Sequence, residues 1–176
     1  HTRDFAEASG SIVALTGAWG ATTRSPVSLA MGDGHLLHPH FTDPSVGSAW
    51  GYFACDIFNT CDAGTRPVAD LGFQTPFLAP YRYFNAVGAN GVVLLDDGVR
   101  GSGCYDAVRN PRSGVCLDAS RETLYLIAVD GRQSSASGMT CDEMRDLAVD
   151  LGCHDAAMLD GGGSTTLVVD GSVVNA

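Results

Sequence analysis

Ala157-Met-Leu-Asp-Gly-Gly-Gly-Ser-Thr-Thr-Leu-Val-Val-Asp-Gly171 is the stretch on which the fold and the site both turn. An apolar strand that stops at Asp160 delivers a carboxylate to the edge of its sheet. Gly161, Gly162 and Gly163 then allow positive φ and close approach of backbone to ligand, and their amides offer donors to an anion. Ser164 and Thr165 add hydroxyls at the same place. Thr166 to Val169 predicts a resumed strand, and Asp170-Gly171 a tight hairpin turn into Ser172-Val-Val174. Such a glycine-rich turn also occurs without chemistry; the flanking carboxylate and hydroxyls favour a site here.

Upstream, Thr123-Leu-Tyr-Leu-Ile-Ala-Val129 is β-rich and apolar throughout, which predicts a central strand running into Asp130-Gly131-Arg132. Thr140 and Glu143 form a capping-box pattern. Met144, Leu147, Ala148 and Leu151 follow on one helical face, and Gly152 is the stop. A strand over 156–159 comes next. Nearer the N-terminus, Ser11 to Leu15 reads as a short buried strand. Leu29 to Leu37 reads as a hairpin about Gly-Asp-Gly, and Gly91 to Gly101 as another about Asp96-Asp97-Gly98. Residues 38–82 carry Pro, Gly, aromatics and Asp with little periodicity, and read as a functional loop region clamped by Cys55 and Cys61. The class is α+β: one domain over 1–176, a mixed β-sheet with one clear helix (about 140–151) packed on it, and disulfide-braced loops.

With 176 residues, 45% of them hydrophobic, the chain is long enough to bury a core, and its 22 glycines fit a turn-rich, sheet-rich fold. A net charge of −10 argues against nucleic acid as a partner. No apolar run approaches the roughly 20 residues that a spanning helix needs. All cationic side chains are arginine, whose planar fork suits phosphate, although a general preference for arginine codons explains the composition equally well. Six cysteines without a Cys-x-x-Cys suit an oxidising compartment, hence a secreted or periplasmic protein, better than a zinc site. Nearest-neighbour pairing (Cys55 with Cys61, Cys104 with Cys116, Cys141 with Cys153) is the expectation, with other pairings and buried free thiols as alternatives.

If the strands ending at Val129 and at Asp160 neighbour each other in parallel, both carboxylates emerge at one sheet edge, where open α/β sheets bind ligands. Asp130 and Asp160 would then share a pocket with Arg112, Arg132 and the Gly161–Gly163 amides. Paired carboxylates supply acid and base for glycosidic cleavage, and arginines with amides clamp a phosphodiester. Plainer roles exist for each: turn formers at the aspartates, a surface charge at Arg112, a structural ion pair between Arg132 and Asp160. His35, His38 and His40 form an H-x-x-H-x-H cluster without a carboxylate or cysteine to complete a metal set. Asp43, Asp56, Asp62 and Asp70 lack EF-hand spacing, and no Gly-x-Ser-x-Gly elbow, P-loop or dinucleotide fingerprint occurs. Neither metal nor cofactor is expected.

The glycine-rich segment, with Asn110-Pro-Arg-Ser-Gly114, Val129-Asp-Gly-Arg132 and Ser137-Gly-Met-Thr140 in the same order before it, resembles the phosphodiester glycosidase family. The resemblance is fairly specific over residues 110–175 and looser before them. It implies that Asp160, Asp130, Arg112 and Arg132 cluster at an active site that also includes Gly162, Ser164, Thr165, Ser137 and Thr140. It implies an exported hydrolase acting on a sugar-phosphodiester or related glycosidic linkage, with a carbohydrate or sugar-phosphate as partner. The family's Asn-Gly with following aromatics is Thr16-Gly17-Ala18-Trp19 here, and relatives continue into a further C-terminal strand beyond Asn175. Two other readings stay open: a non-catalytic carbohydrate- or polymer-binding domain on the same fold, and a secreted inhibitor or structural domain. Oligomeric state is not legible in the sequence.

Overall fold

The structure is a computed structural model that describes residues 2–17, 29–38, 51–65, 83–89, 92–101, 103–104 and 106–176. In chain order the elements are α1 (Thr2–Ser9), β1 (Val13–Leu15), β2 (Ala30–Gly32), β3 (His35–His38), β4 (Gly51–Cys55) and β5 (Cys61–Thr65). They continue with β6 (Asn85–Gly88), β7 (Val93–Asp96), β8 (Val99–Arg100), β9 (Arg112–Asp118) and β10 (Leu124–Val129). The chain then runs through α2 (Cys141–Asp150), β11 (Cys153–Met158), a 3-10 turn at Gly162–Ser164, β12 (Leu167–Val169) and β13 (Ser172–Val173). Two five-stranded sheets, β10-β9-β11-β7-β8 and β3-β2-β6-β4-β5, are accompanied by a three-stranded sheet β1-β12-β13. The α+β class holds, and all pairings among the described strands are antiparallel.

The first five-stranded sheet is covered on both faces. On one lies α2, whose Met144 and Ala148 are fully buried among Leu94, Cys116, Ile127 and Ala156. Burying Met144 alone stabilises the helix–sheet contact by about 1.5–3 kcal/mol. Gly114 makes the approach possible, because a Cβ there would sit 3.1 Å from the Met144 methyl. The other face, through Val115, Ala157 and Leu159, packs on Phe53 and Val87 of the second sheet. The capping box is formed as predicted: the Glu143 amide donates to the Thr140 hydroxyl and the Thr140 amide to the Glu143 carboxylate, at 3.2 and 2.8 Å.

Several expectations need correction. The strand 124–129 is an edge strand, since β9 separates it from β11. Its run is apolar throughout because both faces are covered, Ile127 by the helix-side core and Leu126 by the second sheet. Because both pairings to β9 are antiparallel, β10 and β11 do run in the same direction and end at the same edge, one strand apart. Arg112 is the first residue of β9, not part of a loop. The stretch 38–82 contains a hairpin, β4 with β5, whose Gly-Tyr-Phe-Ala-Cys and Cys-Asp-Ala-Gly-Thr strands show no clear apolar–polar alternation; residues 39–50 and 66–82, with Trp50 and Tyr81, lie outside the described residues. His40 lies there too, while His35 is exposed. The polar N-terminal segment forms α1, which buries Ala6 against Ala14 and Val168.

The cysteine pairing is also corrected. Cys55–Cys61 closes the β4–β5 hairpin as expected, but the other bridges are Cys104–Cys141 and Cys116–Cys153. Cys141 and Cys153 stand at opposite ends of α2, whose ten residues span about 15 Å, far beyond the reach of one disulfide. Cys116 instead sits in β9 beside β11, where the Cys153 Cα lies 5.7 Å away.

A buried polar network crosses between the sheets at the end remote from the glycine-rich turn. Tyr52 and Tyr83 both donate to the Asp62 carboxylate, at 3.0 and 2.7 Å. Arg121 bridges Asp62 and Asp155 at 3.3 and 3.4 Å. Burial pushes the Tyr52 phenol far above its ordinary pKa, and the Asp62 carboxylate adds to the shift. Tyr52 therefore remains a neutral donor.

Candidate active site at the end of the central strand

Three loops meet where β9 begins and where β10 and β11 end, and missing side chains let their backbones touch. A Cβ on Gly138 would lie 2.4 Å from the Asn110 carbonyl oxygen, and one on Gly131 would lie 2.7 Å from the Pro111 nitrogen. Asn110 and Met139 form an isolated antiparallel bridge there. The Gly162 amide donates to the Pro111 carbonyl at 2.9 Å, which ties the glycine-rich turn to the same seam. The motifs around residues 110, 131, 138 and 162 thus form one backbone cluster.

Gly162 has φ +60°, and a Cβ placed on it would lie 3.3 Å from Arg132 Nη2, so this guanidinium rests against the turn. Arg132 itself has φ +59°, a left-handed conformation that L-residues other than Asn and Asp rarely adopt. Its Nε and Nη2 both donate to Asn110 Oδ1, at 3.0 and 2.8 Å. Strained backbone of this kind concentrates at functional sites.

Asp160 follows β11 and is partly exposed. Its backbone amide donates to the Gly17 carbonyl at 3.0 Å, while its own carboxylate accepts from the Gly161 amide at 2.9 Å. It opens on a cleft of about 470 Å³ formed with Gly163 and Ser164 of the turn, Thr16 after β1, and Thr2 and Arg3 of α1. Thr16 is buried. Its hydroxyl donates to the Ser164 carbonyl and accepts from the Thr166 amide, the latter at 3.0 Å. The expected Asn position is therefore at the site, occupied by a residue that fastens the turn. Trp19 lies outside the described residues.

The remaining candidates separate. Arg112 is buried and turned toward the interior of the loop seam: Nε donates to the Met139 carbonyl at 2.9 Å, and Nη2 to Asp106 and the Val108 carbonyl at 2.7 and 2.9 Å. That guanidinium, together with the Val108 amide, holds the Asp106 carboxyl below the usual carboxylate range. Arg112 therefore organises the loop before β9. Asp130 follows β10 at the same edge as Asp160, and its carboxylate accepts from the Ala176 amide at 2.8 Å. Ser137 is exposed on the 130–138 loop, beside Arg109 at 3.4 Å. The Arg132–Asp160 ion pair is not among the ion pairs of the described residues. Thr165 is buried with no hydrogen-bond partner for its hydroxyl among the described residues. Arg3 and the fastening role of Thr16 went unread in the sequence, because nothing in the polar N-terminal segment signals a helix that reaches the cleft.

A sequence model of the phosphodiester glycosidase family matches residues 9–176. The chain is similar to the zebrafish N-acetylglucosamine-1-phosphodiester alpha-N-acetylglucosaminidase catalytic domain, auto-inhibited by its pro-peptide. The TM-score is 0.77 at 22% identity, covering 98% of this chain and 58% of that one. A hypothetical protein from Synechocystis superposes with a TM-score of 0.66 at 14% identity, covering 99% of this chain and 50% of its own. A stretch of 68 residues is 41% identical to the SPbeta prophage-derived uncharacterized protein YomE of Bacillus subtilis, covering 39% of this chain and 10% of that protein. The chain thus spans 58% and 50% of these two solved structures and a tenth of the curated relative. By the extent of the family match, from the end of α1 to residue 176, the chain belongs to the phosphodiester glycosidase family.

Proposed function

We propose that this chain is an exported hydrolase that cleaves a glycosidic bond to a phosphate in a sugar-phosphodiester or a related linkage. The observation that carries this reading is Asp160, which lies two residues past the central strand β11 and opens on a cleft walled by the Gly163-Ser164 turn. Asp130, at the end of the parallel-running β10, is the second carboxylate. One carboxyl protonates the departing oxygen; the other takes the proton of the water that attacks the anomeric carbon. Gly161, Gly162 and Gly163 let the substrate approach the backbone, and Ser164 and Ser137 offer hydroxyls around it, whereas the Thr165 hydroxyl is buried. Arg132, against Gly162, is the guanidinium best placed to act with that turn. Three disulfides support residence in an oxidising compartment. No helix among the described residues is long and apolar enough to cross a membrane.

The test is hydrolysis of a sugar-1-phosphodiester and of an aryl α-N-acetylglucosaminide by the purified protein, beside Asp160→Asn. This change keeps shape and removes charge, so kcat should fall by about 10²–10⁴-fold with the fold intact. Undiminished turnover in Asp160→Asn sinks the assignment. Saccharide binding without turnover in the wild type would favour the non-catalytic carbohydrate-binding reading instead.

A further inference from the structure

Arg112, an expected anion clamp, has its Nε committed to the Met139 carbonyl and its Nη2 to the loop before β9. Arg132, the other, is bonded to Asn110 and is not among the residues that line the cleft, which leaves open what meets the negative charge of a phosphodiester there. Among the described residues that line the cleft, the charged ones are Asp160 and Arg3. We propose that Arg3, on the first turn of α1, is the residue that binds the anionic group of the substrate and selects phosphodiesters over neutral glycosides. This rests on the glycosidase reading of the same cleft.

The physical case begins with long-range charge. A chain of net charge −10 repels an anion, and Asp160 adds to that repulsion inside the cleft. Binding a phosphodiester there therefore needs a local cation, and arginine's fork is the donor geometry that phosphate oxygens take best. Arg3 is 60% exposed, and its ion pair with Glu7, Nε to carboxylate at 3.1 Å, is a one-turn helix contact that contributes little to stability. Its position is set, however. Ala6, one turn further along α1, is buried against Ala14 and Val168, and the Thr2 hydroxyl lies 3.5 Å from that of Thr16. The helix that carries Arg3 is thus docked on the same β1–β12 pair that holds the glycine-rich turn. The family match begins at residue 9, past Arg3.

The experiment measures inorganic phosphate binding by titration calorimetry and by amide chemical-shift changes at Gly163 and Ser164. Wild type, Arg3→Gln, Arg3→Lys, Glu7→Gln and Asp160→Asn are compared. Arg3→Gln should weaken phosphate at least tenfold, with Arg3→Lys intermediate. Glu7→Gln, which releases the competing carboxylate, should tighten it. Binding in the wild type should weaken as sodium chloride is raised. Circular dichroism verifies that α1 persists in each variant. Equal phosphate affinity in wild type and Arg3→Gln, or no phosphate binding by the wild type, overturns the proposal. Asp160→Asn separates the two readings: it should lower turnover sharply yet bind phosphate as well as or better than wild type. The glycosidase reading is judged by turnover, the Arg3 assignment by phosphate.

Discussion

The Thr16 hydroxyl donates to the carbonyl of Ser164, 148 positions away in the chain, and so fastens the glycine-rich turn to the end of β1. The same oxygen accepts from the Thr166 amide, so one buried hydroxyl satisfies backbone on both sides of Thr165. Thr16→Val leaves the Thr166 amide without its partner and the Ser164 carbonyl with the Thr166 hydroxyl alone at 3.2 Å, at a cost of about 1–3 kcal/mol. In a domain of this size that lowers Tm by roughly 2–4 °C per kcal/mol. Thr16→Ser, which keeps the hydroxyl, should recover most of the loss in a thermal melt. Equal melting of the valine and serine variants would remove the fastening role.

Gly162 and Gly138 both have positive φ, at +60° and +88°, yet their substitutions should behave differently. An alanine Cβ at Gly162 meets the far end of the Arg132 side chain at 3.3 Å, which can give way. The cost is then mainly the left-handed conformation, about 1–2 kcal/mol. At Gly138 the Cβ meets the Asn110 carbonyl oxygen at 2.4 Å and its carbon at 2.5 Å, so backbone must move. Gly138→Ala should be clearly the less stable in denaturant titration. Gly162→Ala should lose more activity than stability, because it displaces Arg132 from the turn.

Peptide mapping under non-reducing conditions should recover Cys104 linked to Cys141 and Cys116 linked to Cys153. Replacing the Cys116–Cys153 pair by alanines should cost about 2–5 kcal/mol. Six free thiols in the native protein would contradict both the bridges and the oxidising compartment.

Acid should loosen the loop before β9. The Asp106 carboxyl has its pKa lowered in the folded protein, first by the Arg112 hydrogen bond and next by the Val108 amide. A depressed carboxylate contributes stability that is present above the unfolded value of about 4 and lost as pH falls through the lower folded value. Arg112→Met should therefore flatten the part of the stability profile below about pH 4 that Asp106 causes. A profile unchanged by that substitution would show that the pair contributes nothing there.

Local signals in the sequence told most where one short stretch carries its own instruction. Thr140 and Glu143 announce the start of α2. Asp97-Gly98 and Asp170-Gly171 announce hairpin turns, and the structure places both Asp-Gly pairs at positive φ. The common direction of the strands ending at Val129 and Asp160 was also legible, though the strand between them was not. β9 begins Arg-Ser-Gly after a proline and looks like a loop; Gly114 is there to admit Met144, a tertiary reason invisible in a window of neighbours. Arg112 stands in the expected motif but points into the loop seam, because the acceptors that hold it lie at Asp106, Val108 and Met139. Position along the chain identified the cluster; partner geometry decided which members face the cleft.

The two long bridges also bear on how the chain reaches its native state. Each spans 37 positions, and the spans interlace, since Cys116 lies inside the loop closed by Cys104 and Cys141. In an unfolded chain the neighbouring thiols Cys104 and Cys116, or Cys141 and Cys153, are each only twelve positions apart and meet more often. Loop-closure entropy favours those wrong partners by about 1 kcal/mol, roughly fivefold in encounter. The correct pairs are selected only once β9 lies beside β11 and the start of α2 is seated. Oxidation ahead of that step scrambles the protein, and recovery then depends on thiol exchange. A host compartment that oxidises quickly but isomerises poorly should yield mostly mispaired chains, and adding a disulfide isomerase should raise the folded fraction without any change of sequence.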